Sequence, residues 1–172
     1  MKDGLRFLGI DDGPRHAGKL IGVSYRGTEF IEQVEILDQE PDKGEATEDI
    51  LNLYSLFKQD IAAIFLDGVS FNGFNVADIE TVSSRTGKPV VAVTNNTPDK
   101  EAVRKGLKTI NLDTDTVENL PEVHQYGDLF IQFSGCEKSR AEKFVEKATL
   151  QGNIPEAVRT ADLIGNAFQN RD

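Results

Sequence analysis

The chain has 172 residues, 38% of them hydrophobic, with 19 Lys and Arg against 29 Asp and Glu and a formal net charge of −10. That length suits a single domain over residues 1–172, large enough to bury about two-thirds of its unfolded surface. The charge argues against a protein that coats nucleic acid, the lack of any apolar run near ~18 residues argues against a membrane span, and the single cysteine, Cys136, cannot form an internal disulfide.

The first residues, MKDGLRFLGI, lack the order of a signal peptide, so a cytoplasmic protein is expected. Leu5–Ile10 reads as a strand ended by the turn Asp-Asp-Gly-Pro. Lys19–Tyr25 and Thr28–Leu37 read as two more strands joined at Arg26-Gly27, completing an antiparallel meander. In the third, Phe30, Val34 and Ile36 alternate with carboxylates, the mark of one solvated face. Ile50, Leu53, Phe57 and Ile61 then recur at helical spacing, with Glu45 or Thr47 as the opening residue. Ala62–Leu66 reads as a buried parallel strand, Phe74–Arg85 as a helix stopped by Gly87, and Pro89–Val93 as a second parallel strand. Residues 99–107 predict a short helix, and 108–127 a loop with one short strand. A strand at Leu129–Phe133 and helices at Ala141–Leu150 and Glu156–Phe168 complete a mixed α/β sheet with helices on both faces. There is no dinucleotide fingerprint, P-loop, nucleophile elbow or zinc-type cluster.

Two acidic residues stand at the ends of apolar runs, in Gly9–Gly13 and Phe65–Gly68. Sites in open α/β sheets form beyond the carboxyl ends of strands, so adjacent parallel strands here bring Asp11 and Asp67 together. Close carboxylates repel unless a cation lies between them, and hard oxygen ligands suit Mg²⁺ or Mn²⁺. Glu45 is the chosen third carboxylate, with Asp42 and Glu48 as alternatives. Asp-Gly after a strand is also common turn chemistry, and helix N-termini favour acids for their dipole.

Residues 9–15 (Gly-Ile-Asp-Asp-Gly-Pro-Arg), 65–76 (Phe-Leu-Asp-Gly-Val-Ser-Phe-Asn-Gly-Phe-Asn-Val) and 152–164 identify the chain as similar to an uncharacterised, mainly archaeal protein family related to endonuclease V. The likeness to endonuclease V itself is looser but ordered: Gly9-Ile10-Asp11, a Glu before a helix at Glu45, Asp67-Gly68, and a Pro-Glu-Pro-x-Arg-x-Ala-Asp ending resembled by Pro155–Asp162. The resemblance implies a ribonuclease H-like fold, a Mg²⁺ (or Mn²⁺) site at Asp11, Glu45 and Asp67, and a nuclease acting on DNA or RNA. It also shows departures. Thr94-Asn95-Asn96 stands where endonuclease V has Lys, Asn72-Gly73 and Cys136 stand where it has His, and its duplex-opening wedge has no counterpart in Gln39–Gly44.

Residues 1–26 carry five basic and three acidic side chains, net +2, whereas 27–60 carry two basic and ten acidic, net −8. The basic stretch leaves room for a phosphate site, with Arg15, His16 and Lys19 as candidate phosphate contacts. Asn72 and Asn75 are candidates for orienting a nucleic-acid ligand, or for turn formation and helix capping. Asp12 is a candidate base behind the metal. Phe71 and Phe74 read as core or as a base-stacking pair, Arg159 as a partner of Glu156 in the fold, and Cys136 as an inert thiol. Three functions follow: a metal-dependent nuclease or phosphodiesterase with Asp11, Glu45 and Asp67 at its centre; a degenerate module that binds nucleic acid or nucleotide without cleaving it; and a protein-interaction role for the acidic face.

Overall fold

The computed structural model describes residues 4–169. A seven-stranded sheet runs in the order β3-β2-β1-β4-β7-β9-β8. Its strands are β1 (Arg6–Asp12), β2 (Lys19–Arg26), β3 (Phe30–Asp38), β4 (Ile61–Asp67), β7 (Val90–Thr94), β8 (His124–Tyr126) and β9 (Leu129–Ser134). β1, β4 and β7 are parallel, and the remaining pairs are antiparallel. The expected meander and the parallel unit after it are both present.

Side-chain alternation divides the core between the two faces. On one face Leu8, Ile10, Ile64 and Leu66 pack under α1 (Thr47–Ser55) and α2 (Ile79–Thr86). On the other, Phe7, Ala63, Phe65, Val91 and Val93 pack under α5 (Lys138–Ala148) and α6 (Glu156–Asn166). β4 is apolar from Ile61 to Leu66 because both of its faces are covered, whereas the edge strand β3 leaves Ile31, Val34 and Ile36 exposed.

Several predicted boundaries move. α1 ends at Ser55, and Ile61 opens β4 instead of closing the helix; Phe57 still packs in the core from the connecting turn. The helix expected from Phe74 begins at Ile79, where Asp78 caps it by accepting the Thr81 N–H at 3.0 Å. Residues before it form a small hairpin, β5 (Ser70–Phe71) and β6 (Asn75–Val76), turned through Asn72 and Gly73 at φ +44° and +85°. Beyond β7 come α3 (Lys100–Thr109) and α4 (Asp115–Glu118); the latter falls where a loop was expected. No helix among the described residues is long and apolar enough to cross a membrane.

Candidate active site

Asp11 and Asp67 stand at the carboxyl ends of neighbouring parallel strands, with Ile10 paired to Leu66. Asp11 follows Phe7 and Gly9 on one face of β1, and Asp67 follows Ala63 and Phe65 on the same face of β4, so both side chains emerge beneath α6. Each carboxyl shifts the titration of the other, so the two stand next to one another.

Asp11 is 2% exposed. Its Oδ1 accepts the Asp12 N–H at 2.7 Å, while its Oδ2 is buried without a hydrogen-bond partner. Burial, reinforced by the neighbouring Asp67, pushes the Asp11 carboxyl far above the ordinary carboxylate range. Burial also raises Asp67; the adjoining Asp11 carboxyl opposes that shift, and the charge of Asp162 adds to it. The pair therefore requires a shared proton or a cation between its oxygens.

Asp162 was absent from the expected site. It lies on α6 and borders, with Asp11 and Asp67, a cavity of about 370 Å³. Its signal was present in the Pro155–Asp162 segment: Asp162 follows Arg159 by three residues, so a helix places both on one face. α6 can sit this low because β1 has glycine beneath it. A methyl on Gly9 would overlap the backbone of Ala157 and Val158, and one on Gly165 would overlap the Asp12 carbonyl. The far wall of the cavity is rich in amides, from Asn95 and Asn96 after β7 and Gln151 and Asn153 before α6, with Arg159 beside them.

The remaining expected residues lie elsewhere. Glu45 does not border this cavity: its carboxylate accepts the Thr47 N–H at 2.6 Å and the Thr116 hydroxyl at 3.4 Å, and its backbone bridges to Val76. The β5–β6 hairpin and α4 hold it away from the Asp11–Asp67 pair. Among the described residues no trio of Asp, Glu, His or Cys side chains is arranged to hold a metal ion. Arg15 is paired with Asp42, Lys19 with Asp38, and His16 is exposed on the 3-10 turn Arg15–Ala17; none borders the cavity.

Asp12 accepts the Asn72 N–H at 2.5 Å, and burial raises its carboxyl while that N–H opposes the shift. The Asn72 side chain donates to the Lys19 carbonyl (2.9 Å) and to Gln39 Oε1 (2.7 Å). Asn75 donates to the Glu40 carbonyl at 2.9 Å and accepts the Lys43 N–H at 2.7 Å. Both buried amides therefore brace the 39–43 loop from within. Phe71 is core, Phe74 packs on Gly106, and Cys136 is a half-buried thiol that burial pushes up.

The chain matches the family described as Endonuclease dU over residues 3–169. A UPF0215 protein of Methanocaldococcus jannaschii is 32% identical over 177 residues, covering 98% of this chain and 96% of the relative. One from Archaeoglobus fulgidus is 35% identical over 170 residues, covering 95% and 93%. A crystal structure of an Archaeoglobus fulgidus protein of unknown function superposes with a TM-score of 0.87 at 32% identity, covering 95% of this chain and 97% of that one. Ciona intestinalis endonuclease V, in complex with a 23mer DNA containing inosine, superposes with a TM-score of 0.61 at 15% identity, covering 91% and 81%. The human endonuclease V structure gives 0.61 at 16%, covering 94% and 82%. The architecture is thus that of endonuclease V, as the sequence motifs implied.

Proposed function

This chain belongs to the endonuclease dU family, and on that premise we propose that it is a divalent-metal-dependent endonuclease acting on DNA that carries a deaminated base, deoxyuridine before inosine. The observation that carries this reading is the Asp11–Asp67 pair: a buried and a half-buried carboxyl side by side, with Asp11 Oδ2 lacking any hydrogen-bond partner. An orphaned, desolvated carboxylate oxygen next to a second carboxylate fits a hard cation in place of the shared proton. Asp11 and Asp67 would hold Mg²⁺ or Mn²⁺, with Asp162 across the cavity from them. When bound, the ion would neutralise the pair and polarise a phosphodiester oxygen.

The chain's own residues supply the rest. The β1 and β4 backbones fix the two carboxyls side by side, and α6 brings Asp162 over them to orient a water for attack at phosphorus. Asp12, held by the Asn72 N–H, ties the floor of the site to the β5–β6 hairpin. The amides of Asn95, Asn96, Gln151 and Asn153 offer neutral donors to the strand. Glu45, by its position, serves the loop and not the ion.

The test is cleavage of deoxyuridine-containing, inosine-containing and undamaged DNA and RNA with Mg²⁺ or Mn²⁺. The wild type is expected to cleave, and Asp67→Asn to lose at least ~10²-fold. No cleavage of any of these with either metal overturns the reading. A second reading, a module that binds nucleic acid without turnover, is favoured by the distance of Glu45 and of the basic residues 15–19 from the cavity. It expects salt-dependent binding that survives Asp67→Asn.

A further inference from the structure

Glu156 is a buried carboxylate that the chemistry above does not use; its side chain is 3% exposed. A charge taken out of water is costly unless its lone pairs are satisfied. Here Oε1 accepts the N–H groups of Leu150 and Gln151, both at 3.3 Å. Oε2 accepts Nε and Nη2 of Arg159 at 3.0 and 2.6 Å. Glu156 thus joins two parts of the cavity wall. Gln151 begins the rim that runs through Asn153, and Arg159 borders the cavity beside Asp162.

Arg159 is the single Lys or Arg among the described residues that border this cavity. Its side chain stays 38% exposed, and Glu156 occupies only its Nε and Nη2, leaving Nη1 uncommitted. The rim is fastened from its other side too, where the Asn153 amide donates to Asn95 Oδ1 at 2.6 Å. A guanidinium already locked by a carboxylate loses little freedom when it meets a phosphate. The carboxylate thus holds the loop amides and the guanidinium at once, so it fixes the geometry of both sides of the rim.

We propose that Glu156 is a positioning residue: it fixes Arg159 and the Gln151–Asn153 rim so that they clasp a backbone phosphate of the DNA strand lying over Asp11, Asp67 and Asp162. This rests on the nuclease reading above. Arg159 supplies charge-assisted hydrogen bonds to the phosphate, and the rim amides supply neutral ones.

Glu156→Gln separates the two jobs. The Gln carbonyl still accepts the loop amides, while its NH₂ faces the guanidinium and releases it. Binding of a deoxyuridine-containing single-stranded oligonucleotide is measured by fluorescence anisotropy with Mg²⁺, in an Asp67→Asn background that blocks turnover. Glu156→Gln is expected to weaken binding at least ~10-fold and to lower the slope of log K against log salt by about one. Arg159→Ala is expected to do the same, and the two changes together to do no more than either alone. In the cleaving enzyme, KM rises more than kcat falls. If Glu156→Gln does not fold, Arg159→Lys, which keeps the charge but loses the fork, is expected to weaken binding several-fold. An earlier melting transition with an unchanged Kd overturns the proposal and leaves Glu156 as a brace. So does an unchanged Kd in the Arg159 variants. A wild type that neither binds nor cleaves any probe overturns the nuclease reading itself, and this proposal with it.

Discussion

Gly9 lies directly beneath the peptide joining Ala157 to Val158, so close that β1 and the first turn of α6 leave no room for a side chain between them. Backbone meets backbone there, and neither side can yield as a flexible side chain would. Gly9→Ala is expected to cost about 1–3 kcal/mol of stability, read by urea denaturation. It also lifts Asp162 from the Asp11–Asp67 pair, so cleavage by the folded fraction is expected to fall at least ~10-fold. A folded variant with full activity would show that the height of α6 is immaterial.

The buried Asp11 carboxyl makes metal-free stability depend on pH. An unfolded Asp titrates near ~3.9, whereas Asp11 titrates well above that when folded, chiefly because it is buried. The native state therefore holds a proton that the unfolded chain has released, and stability falls as pH climbs from ~4 toward the folded value. Asp11→Asn removes the penalty. In EDTA at pH 8 it is expected to raise stability by about 1–2 kcal/mol, or roughly 2–8 °C in Tm, and to flatten the dependence on pH. Calorimetry from pH 5 to 8 checks both. A variant less stable than wild type at pH 8 contradicts the assignment.

A cation that binds only the folded chain stabilises it by mass action, about 2.7 kcal/mol at 100 times Kd. Mn²⁺ or Mg²⁺ is therefore expected to raise the wild-type Tm by several degrees. In Asp67→Asn the rise is expected to disappear, and in Glu45→Gln to persist, because Glu45 stands outside the cavity. Loss of the shift in Glu45→Gln would return Glu45 to the ion.

Asn72 joins three segments through buried hydrogen bonds, to Lys19, Gln39 and Asp12. Asn72→Ala leaves the Lys19 carbonyl and the Gln39 amide oxygen without their donor, and puts Ala at φ +44°, a left-handed conformation that Asn tolerates better. The expected cost is about 2–4 kcal/mol, measured by denaturant unfolding. A direct ligand contact would instead change affinity and leave stability unmoved.

The sequence pattern alone placed Asp11 and Asp67 together, since two apolar runs ending in Asp need only be parallel neighbours to do so. It could not place Asp162, because that depends on how closely a helix approaches a strand, which two glycines decide through space. Glu45 falls outside the cavity for a related reason. Its spacing before a helix was right, but the direction of its side chain is set by Thr47 and by Thr116 of α4, a helix too short to leave a periodic signal. The Ala62–Leu66 core of β4 was legible because both of its faces are covered. The two-residue strands β5 and β6 were not, because they carry no period at all.

β1 is the first strand of the described chain and lies inside the sheet, between β2 and β4, while α6 is the last helix and covers it. Asp11 and Asp162 therefore come from distant parts of the sequence, and the cavity they border forms only once α6 has docked on β1. A chain in which α6 has not docked on β1 lacks the Arg159 and Asp162 side of that cavity.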